Sequence, residues 1–507
     1  MSGMSGEVWL GVDLGTGGVR ALAVTSTGEI VGRGERPLTS HRSGPRHEQD
    51  PHEWWSAAAA AIADAVADLD PHRVAGIAVD GTSGTVLVVG ADGAPLTPAV
   101  MYDDARATAQ RDRVNEAGAT TWERLGYQRM QTSWALPKLL RLLEEHPGAR
   151  GGLLAHQVDV VNRHLVGGPV ATDLSNALKT GADLESGTWP AEVHEALGLP
   201  ASLFPALVRP GARLGVVGAE AAARCGLVAG TPVLAGATDG TAAQLASGAT
   251  EPGSWNVVLG TTMVFKGVTR DLLHDPQGVV YSHRAPDGSW LPGGASSTGA
   301  GVLVHEQESG GLAGWSLDDL GAAVDVREPA RTVVYPLVGE GERFPFVAPD
   351  ARGLTLGDRT GERPPERFAA LLQGVALVER LALDGLDRLG ADLAGRHVST
   401  GGGSANAAWT QLRADVTGRD LEVPAAGWSA AGSAAGMAVL AASSTGPLAD
   451  RAREMVPAAR THHHDPERGA VFAPAYRRLV TELADRGWLP PESAEHALAR
   501  AGAGVAS

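Results

Sequence analysis

Two stretches of this chain spell one local pattern. VWLGVDLGTGGVRALAV, from residue 8, is an apolar run, a Gly-Thr turn and a second apolar run. SWNVVLGTTMVFKGVT, residues 254–269, repeats it. Apolar runs of this length on either side of a Gly-containing turn are antiparallel hairpins. A chain whose two halves each open on such a hairpin is expected to hold two related domains. The 507 residues agree, because single cores stop growing near about 250–300 residues. Turn residues cluster at ATEPGS, so the boundary is placed near 250, giving domains 1–250 and 251–507.

EIVGRG adds a third antiparallel strand to the first hairpin. A helix then starts with clear signals: Asp50 as cap, Pro51 at the first helical position and Glu53 closing a capping box, with the body reaching about Leu69. VAGIAVDG and TVLVVGADG return as strands. This order differs from the plain βαβ alternation of a dinucleotide-binding sheet. Later, residues 367–389 read as a long amphipathic helix, and the strand-like HVST runs into GGGSAN. The tail after about 445 reads as a closing helical segment, and 491–507 as mobile.

Composition narrows the function. Hydrophobic residues at 43% and charged residues at 20% exclude wholesale disorder, and 67 glycines with few aromatics predict tight packing of small side chains. A net charge of -16 argues against a nucleic-acid partner. No apolar run approaches the length of a membrane span, no basic leader precedes Asp13, and the single cysteine, Cys225, reads as an inert thiol. A reducing cytoplasm is the expected compartment. The three lysines, Lys138, Lys179 and Lys266, lie outside any P-loop or kinase-strand motif. Any ATP site must work without them.

Five segments carry candidate chemistry. In DLGTGGVR, Gly15 and its neighbours expose backbone N–H groups to a phosphate, Thr16 adds a hydroxyl, and Asp13 ends a strand where it can hold a hydrated Mg²⁺. Gly260, Thr261 and Thr262 form the matching turn in the second half. Each turn alone reads equally as a plain hairpin; the pair is what suggests a grip on a triphosphate. In GGGSAN, Gly402 and Gly403 permit close approach of an adenosine, which Ser404 and Asn406 border. Asp239 follows the strand TPVLAG and opens a small-residue helix, as a general base or a helix cap. Thr82 and Ser83 in DGTSGT, with Asp103 and Asp104 in MYDDAR, suit a polyol, or are turn and cap residues. His462, His463 and His464 lack metal-ligand spacing, and Trp54 and Trp55 read as helix packing.

DLGTGGVR, HEQDPHEWW, GTTMVF and GGGSAN, in that order over about residues 7–445, resemble the FGGY carbohydrate kinases. The resemblance implies an α/β fold of two actin-like ATPase (ribonuclease H-like) domains facing an interdomain cleft. It also implies ATP-dependent phosphorylation of a sugar hydroxyl with Mg²⁺. Asp13, Thr16 and Arg20 then belong to the first phosphate motif, Gly260, Thr261 and Thr262 to the second, and Gly402, Gly403 and Asn406 to the adenosine motif. Asp239 matches the catalytic base. Xylulokinases carry Gln-Met-His-Gly where this chain has DGTSGT, and DGTSGT, MYDDARA and TDLSNALKTG look closer to the D-ribulokinase-like subgroup. D-Ribulose is therefore the first-choice acceptor and D-xylulose the alternative. An actin-like ATPase with a structural or sensing role is the reading from another class. The partners expected are a small sugar and ATP, with a homodimer allowed and neither nucleic acid nor membrane.

Overall fold

The computed structural model describes residues 6–502. Two compact α/β units divide them. The first takes the described residues up to Thr250 together with Ser282–Leu291 and Ala430–Pro457; the second takes Glu251–Tyr281, Pro292–Ser429 and the residues from Ala458 onward. A cut at 250 therefore leaves two later segments on the wrong side.

The first unit is built on a six-stranded sheet. Strands β1 (Val8–Leu14), β2 (Gly18–Thr25) and β3 (Ile30–Pro37) run antiparallel, as the hairpin reading predicts. On the other side of β1, Val74–Gly81 pairs in parallel, and Pro232–Leu234 pairs in parallel with that. Arg213–Val216 closes the edge. Helix α1 (Pro51–Val66) begins where its cap residues place it, with Asp50 accepting from the His52 N–H. The capping box does not close: the Glu53 carboxylate accepts the Thr39 N–H instead, tying the helix start to the loop after β3. The alanine face of α1 lies on β3 so closely that a Cβ at Gly34 would stand 2.0 Å from the Ala61 carbonyl oxygen. Small residues set this contact, which is what the glycine and alanine content predicts. Trp54 and Trp55 are buried in the same core.

In the second unit, Trp255–Leu259 and Met263–Gly267 form the expected hairpin, and His397–Thr400 pairs in parallel with the first of them. Leu421–Pro424 continues the sheet in parallel and Ala458–His462 in antiparallel. The long helix spans Pro364–Arg388 and buries most of its length. Residues 491–502, expected to be mobile, form the helix Pro491–Gly502, which buries Ala494, Ala497 and Ala501 and places Arg500 on Asp384 and Asp387; residues 503–507 lie outside the described chain.

Candidate active site

Parallel pairing decides which loops meet. In the first unit Asp13 stands opposite Asp80 in the β1 register, and the last residue of that strand, Gly81, bridges to Thr238. The Thr238 backbone comes this close because residue 236 is glycine, where a Cβ would lie 1.8 Å from the Val79 carbonyl oxygen. Three parallel strands thus deliver Asp13, Asp80 and Asp239 to one edge of one sheet. Asp239 is the first residue of the helix Asp239–Ser247, and its Oδ1 accepts the Gly240 N–H at 2.7 Å.

The charges at this edge act on each other. Burial raises the Asp13 carboxyl above its ordinary range; a hydrogen bond with Asp80 works against that, the Asp239 charge adds to it, and Arg20 opposes it. Asp80 is fully buried and is raised well above the carboxylate range, by burial first and by Asp13 and Asp239 next. Neither Asp80 oxygen finds an N–H or hydroxyl donor. Burial and the two neighbouring acids therefore favour the protonated form of Asp80. Arg20 sits opposite Asp13 across the hairpin, and its Nε donates to Glu35 at 2.6 Å.

The turn after Asp80 separates two hydroxyls that the sequence treats alike. Thr82 Oγ1 lies 2.5 Å from Thr85 Oγ1 and donates to Gln157 Oε1, so it is spent on the fold. Ser83 Oγ has no partner, while its carbonyl oxygen accepts from Lys179 Nζ at 3.1 Å. The two downstream acids also divide. Asp104 is buried and accepts from the His47 N–H and from the backbone and guanidinium of Arg106. Asp103 is partly exposed, with one oxygen on His47 and the other on Arg42. Asp104 therefore braces the loop and has no oxygen left to offer a sugar.

In the second unit the same topology brings together loops without carboxylates. The turn Gly260–Thr262 closes on a Gly260 N–H to Thr262 carbonyl bond of 3.0 Å. The GGGSAN loop leaves the neighbouring parallel strand and packs on Leu259, the residue before that turn. Gly401 has φ +86° there, and a Cβ on it would meet the Leu259 carbonyl oxygen at 2.7 Å, so both conformation and space require glycine. Gly402–Ala405 form a single 3₁₀ turn, Ser404 Oγ donates to the Gly401 carbonyl at 2.6 Å, and Asn406 Oδ1 caps the next helix through the Trp409 N–H. A Cβ at Gly402 would meet nothing within 4 Å, whereas one at Gly403 would stand 2.5 Å from Leu259 Cγ.

A hydrated Mg²⁺ fits the first unit. It takes one or two carboxylates and keeps several waters, and Asp13 beside Asp80 provides such a seat. Among the described residues no group of three or more His, Cys, Asp or Glu forms an all-protein cage. His463 and His464 both pair with Asp420, and burial pushes the Cys225 thiol up to about 11. No helix among the described residues is long and apolar enough to cross a membrane. Sequence reasoning named Asp80 only as the start of a turn; an Asp ending an apolar strand, as Asp13 does, was the available signal.

Known proteins place this geometry. Residues 8–246 match the N-terminal domain of the FGGY family of carbohydrate kinases, and residues 255–445 match its C-terminal domain. The xylulose kinase of Escherichia coli (strain K12) is 28% identical over 495 residues, 94% of this chain and 99% of its own. That of Streptomyces rubiginosus is 30% identical over 435 residues, 84% of this chain and 86% of its own. The crystal structure of xylulose kinase from Rhodospirillum rubrum superposes with a TM-score of 0.84 at 27% identity, covering 95% of this chain and 99% of that one. The chain belongs to the FGGY family of carbohydrate kinases. It has the actin-like ATPase fold in both units and is an ATP-dependent sugar phosphotransferase.

Proposed function

We propose that this FGGY kinase transfers the γ-phosphoryl group of ATP to the terminal hydroxyl of a ketopentose, with D-xylulose as the favoured acceptor. The observation that carries the chemistry is the convergence of Asp13, Asp80 and Asp239 at one sheet edge. Of these, Asp239 opens a helix with its carboxylate steadied by the Gly240 N–H. Phosphoryl transfer needs positioning and charge neutralisation more than covalent participation. Asp239 accepts the proton of the attacking hydroxyl, and the unpartnered Ser83 Oγ is the hydroxyl best placed to meet the sugar. Thr82 and Asp104 support from behind.

Mg²⁺, held by Asp13 through water, would neutralise charge on the phosphates. The Gly15–Thr16 turn of the first unit and the Gly260–Thr262 turn of the second offer N–H and hydroxyl donors to phosphate oxygens. The GGGSAN loop offers a side-chain-free surface to the nucleoside. An acidic protein can bind an anion in this way because the donors are local.

The names of the relatives favour D-xylulose over D-ribulose, which the turn sequence alone placed first. D-Ribulose stays as the second reading on one observation. The DGTSGT turn presents a serine hydroxyl beside a buried Asp80, where the family's xylulokinases carry the Gln-Met-His-Gly stretch. ADP release measured with D-xylulose, D-ribulose, L-ribulose, ribitol and glycerol tests both. The expected result is the highest kcat/KM with D-xylulose. A preference for D-ribulose by about tenfold, or 1.4 kcal/mol in transition-state binding, would replace the acceptor. ATP turnover that ignores every sugar would remove the ketopentose reading altogether.

A further inference from the structure

Behind Asp239 lies a knot of hydroxyls that the reaction as described does not use. The Ser175 hydroxyl accepts the Thr238 N–H at 3.1 Å and lies 3.1 Å from Thr238 Oγ1, 3.1 Å from Thr241 Oγ1 and 3.2 Å from His283 Nδ1. Thr238 caps the helix whose first residue is Asp239, and Thr241 stands in the first turn of that helix. Thr238 Oγ1 also donates to Thr241 Oγ1 at 3.1 Å. All four side chains are buried, and all belong to the first unit, His283 through the Ser282–Leu291 segment.

The proton ledger of this knot closes. In one arrangement that satisfies it, Ser175 Oγ takes the Thr238 N–H and the Thr241 hydroxyl proton and gives its own proton to His283 Nδ1, while Thr238 gives its proton to Thr241. Every hydroxyl then donates once, so the side chains hold one another and the helix start in place. A second brace comes from outside the ring, where Ser433 Oγ donates to the Asp239 carbonyl oxygen at 3.1 Å. The backbone on both sides of the Asp239 Cα is therefore fixed by side chains from elsewhere in the unit. A carboxylate that must reach one particular hydroxyl proton benefits from such fixing, because errors of an ångström in alignment cost orders of magnitude in rate.

We propose that Ser175 is a positioning residue for the base: by holding Thr238 and the first turn of the following helix, it aims the Asp239 carboxylate at the acceptor hydroxyl. The proposal rests on the reading of Asp239 as the base. Ser175 is fully buried behind the base, so its loss is expected to act on kcat and leave binding alone.

The test compares Ser175→Ala, Asp239→Asn and their combination, with the ketopentose that the wild type uses best. Ser175→Ala is expected to lower kcat about 30-fold, with KM for ATP and sugar within about twofold of wild type. Adding Ser175→Ala to Asp239→Asn is expected to cause no further loss, since there is no base left to aim. Thr241→Val, which deletes one hydroxyl of the knot at nearly constant shape, is expected to lower kcat several-fold while Thr241→Ser does not; this pair decides the matter if Ser175→Ala fails to fold. Wild-type kcat in both Ser175→Ala and Thr241→Val would overturn the positioning role. So would an equal loss from Ser175→Ala with and without Asp239, which marks a merely structural residue. Full activity in Asp239→Asn would instead overturn the base assignment and the positioning role with it.

Discussion

The two units share a construction and differ in what they put at its working edge. Each has a hairpin with a Gly-Thr turn and a parallel strand beside the first hairpin strand. In the first unit the strand ends carry Asp13, Asp80 and Asp239, and the Asp239 charge raises the proton affinity of the other two. In the second the equivalent ends carry Gly260, Thr261, Thr262 and the GGGSAN loop, with no acid among them. The second unit also buries charge, but it pairs it: Arg413 Nε and Nη2 bond the Glu379 carboxylate, and Nη1 bonds Ser399 Oγ in the strand that leads to GGGSAN. One scaffold therefore serves two tasks. Clustered carboxylates suit a site that must move a proton and seat a cation, and neutral backbone suits a site that must tolerate an anion.

The sharpest way to break that contrast is at Asp239. Asp239→Asn is expected to lower phosphoryl transfer by about 10²–10⁴-fold while ATP binding, read by calorimetry, stays near wild type. A similar loss of ATP binding would mean the first unit's acids serve the nucleotide as well. Next in size is Arg413→Met. Removing one partner of a fully buried ion pair costs about 3–5 kcal/mol, so urea unfolding should lose stability by that amount in the transition of the second unit. Glu379→Gln should do nearly the same, and a silent result for both would remove the pair from the account of that unit.

Gly401→Ala tests the neutral edge. A Cβ there meets backbone at a positive φ, at a cost of about 1–3 kcal/mol. KM for ATP should rise about tenfold or more, with KM for the sugar unchanged. The smallest effect is a pH dependence within the first unit. Asp173, which caps the short helix carrying Ser175, is buried and held at about 6 by desolvation, with its two Asn176 hydrogen bonds pulling the other way. Because the folded state binds this proton more tightly than the unfolded one, its contribution to stability is present below pH about 4 and lost as pH rises to about 6. The difference in stability between Asp173→Asn and wild type should therefore move in the variant's favour by up to about 3 kcal/mol across that window and stay flat above it. A difference that does not change with pH would place an ordinary carboxylate there.

Features with a short sequence period were legible. The hairpins, the start of α1, the long helix and the GGGSAN loop follow from runs of apolar residues and from Gly, Pro and Asp at their ends. What escaped depends on register between distant strands. Asp80 joins the acid cluster because it stands opposite Asp13, and nothing within DGTSGT states that pairing. Thr82 and Ser83 look equivalent in sequence, yet Gln157, 75 residues away, consumes one and leaves the other. Asp104 reads as a free carboxylate until Arg106 and His47 close on it. The helix at 491–502 signals weakly because the apolar residues it fully buries are alanines, with Leu498 only partly buried beside them.

The interleaving of the units has a consequence for the making of the protein. The sheet that carries Asp13, Asp80 and Asp239 is complete in sequence by Thr250, but its unit also includes 282–291 and 430–457. His283, which closes the knot behind Asp239, and Ala434, whose carbonyl oxygen sits where a Gly11 Cβ would be, are translated later. At about 5–20 residues per second, the ribosome needs roughly 10–40 s after Thr250 to deliver Pro457. During that interval the first unit lacks its last segment, 430–457. It is completed only after most of the second unit has been synthesised.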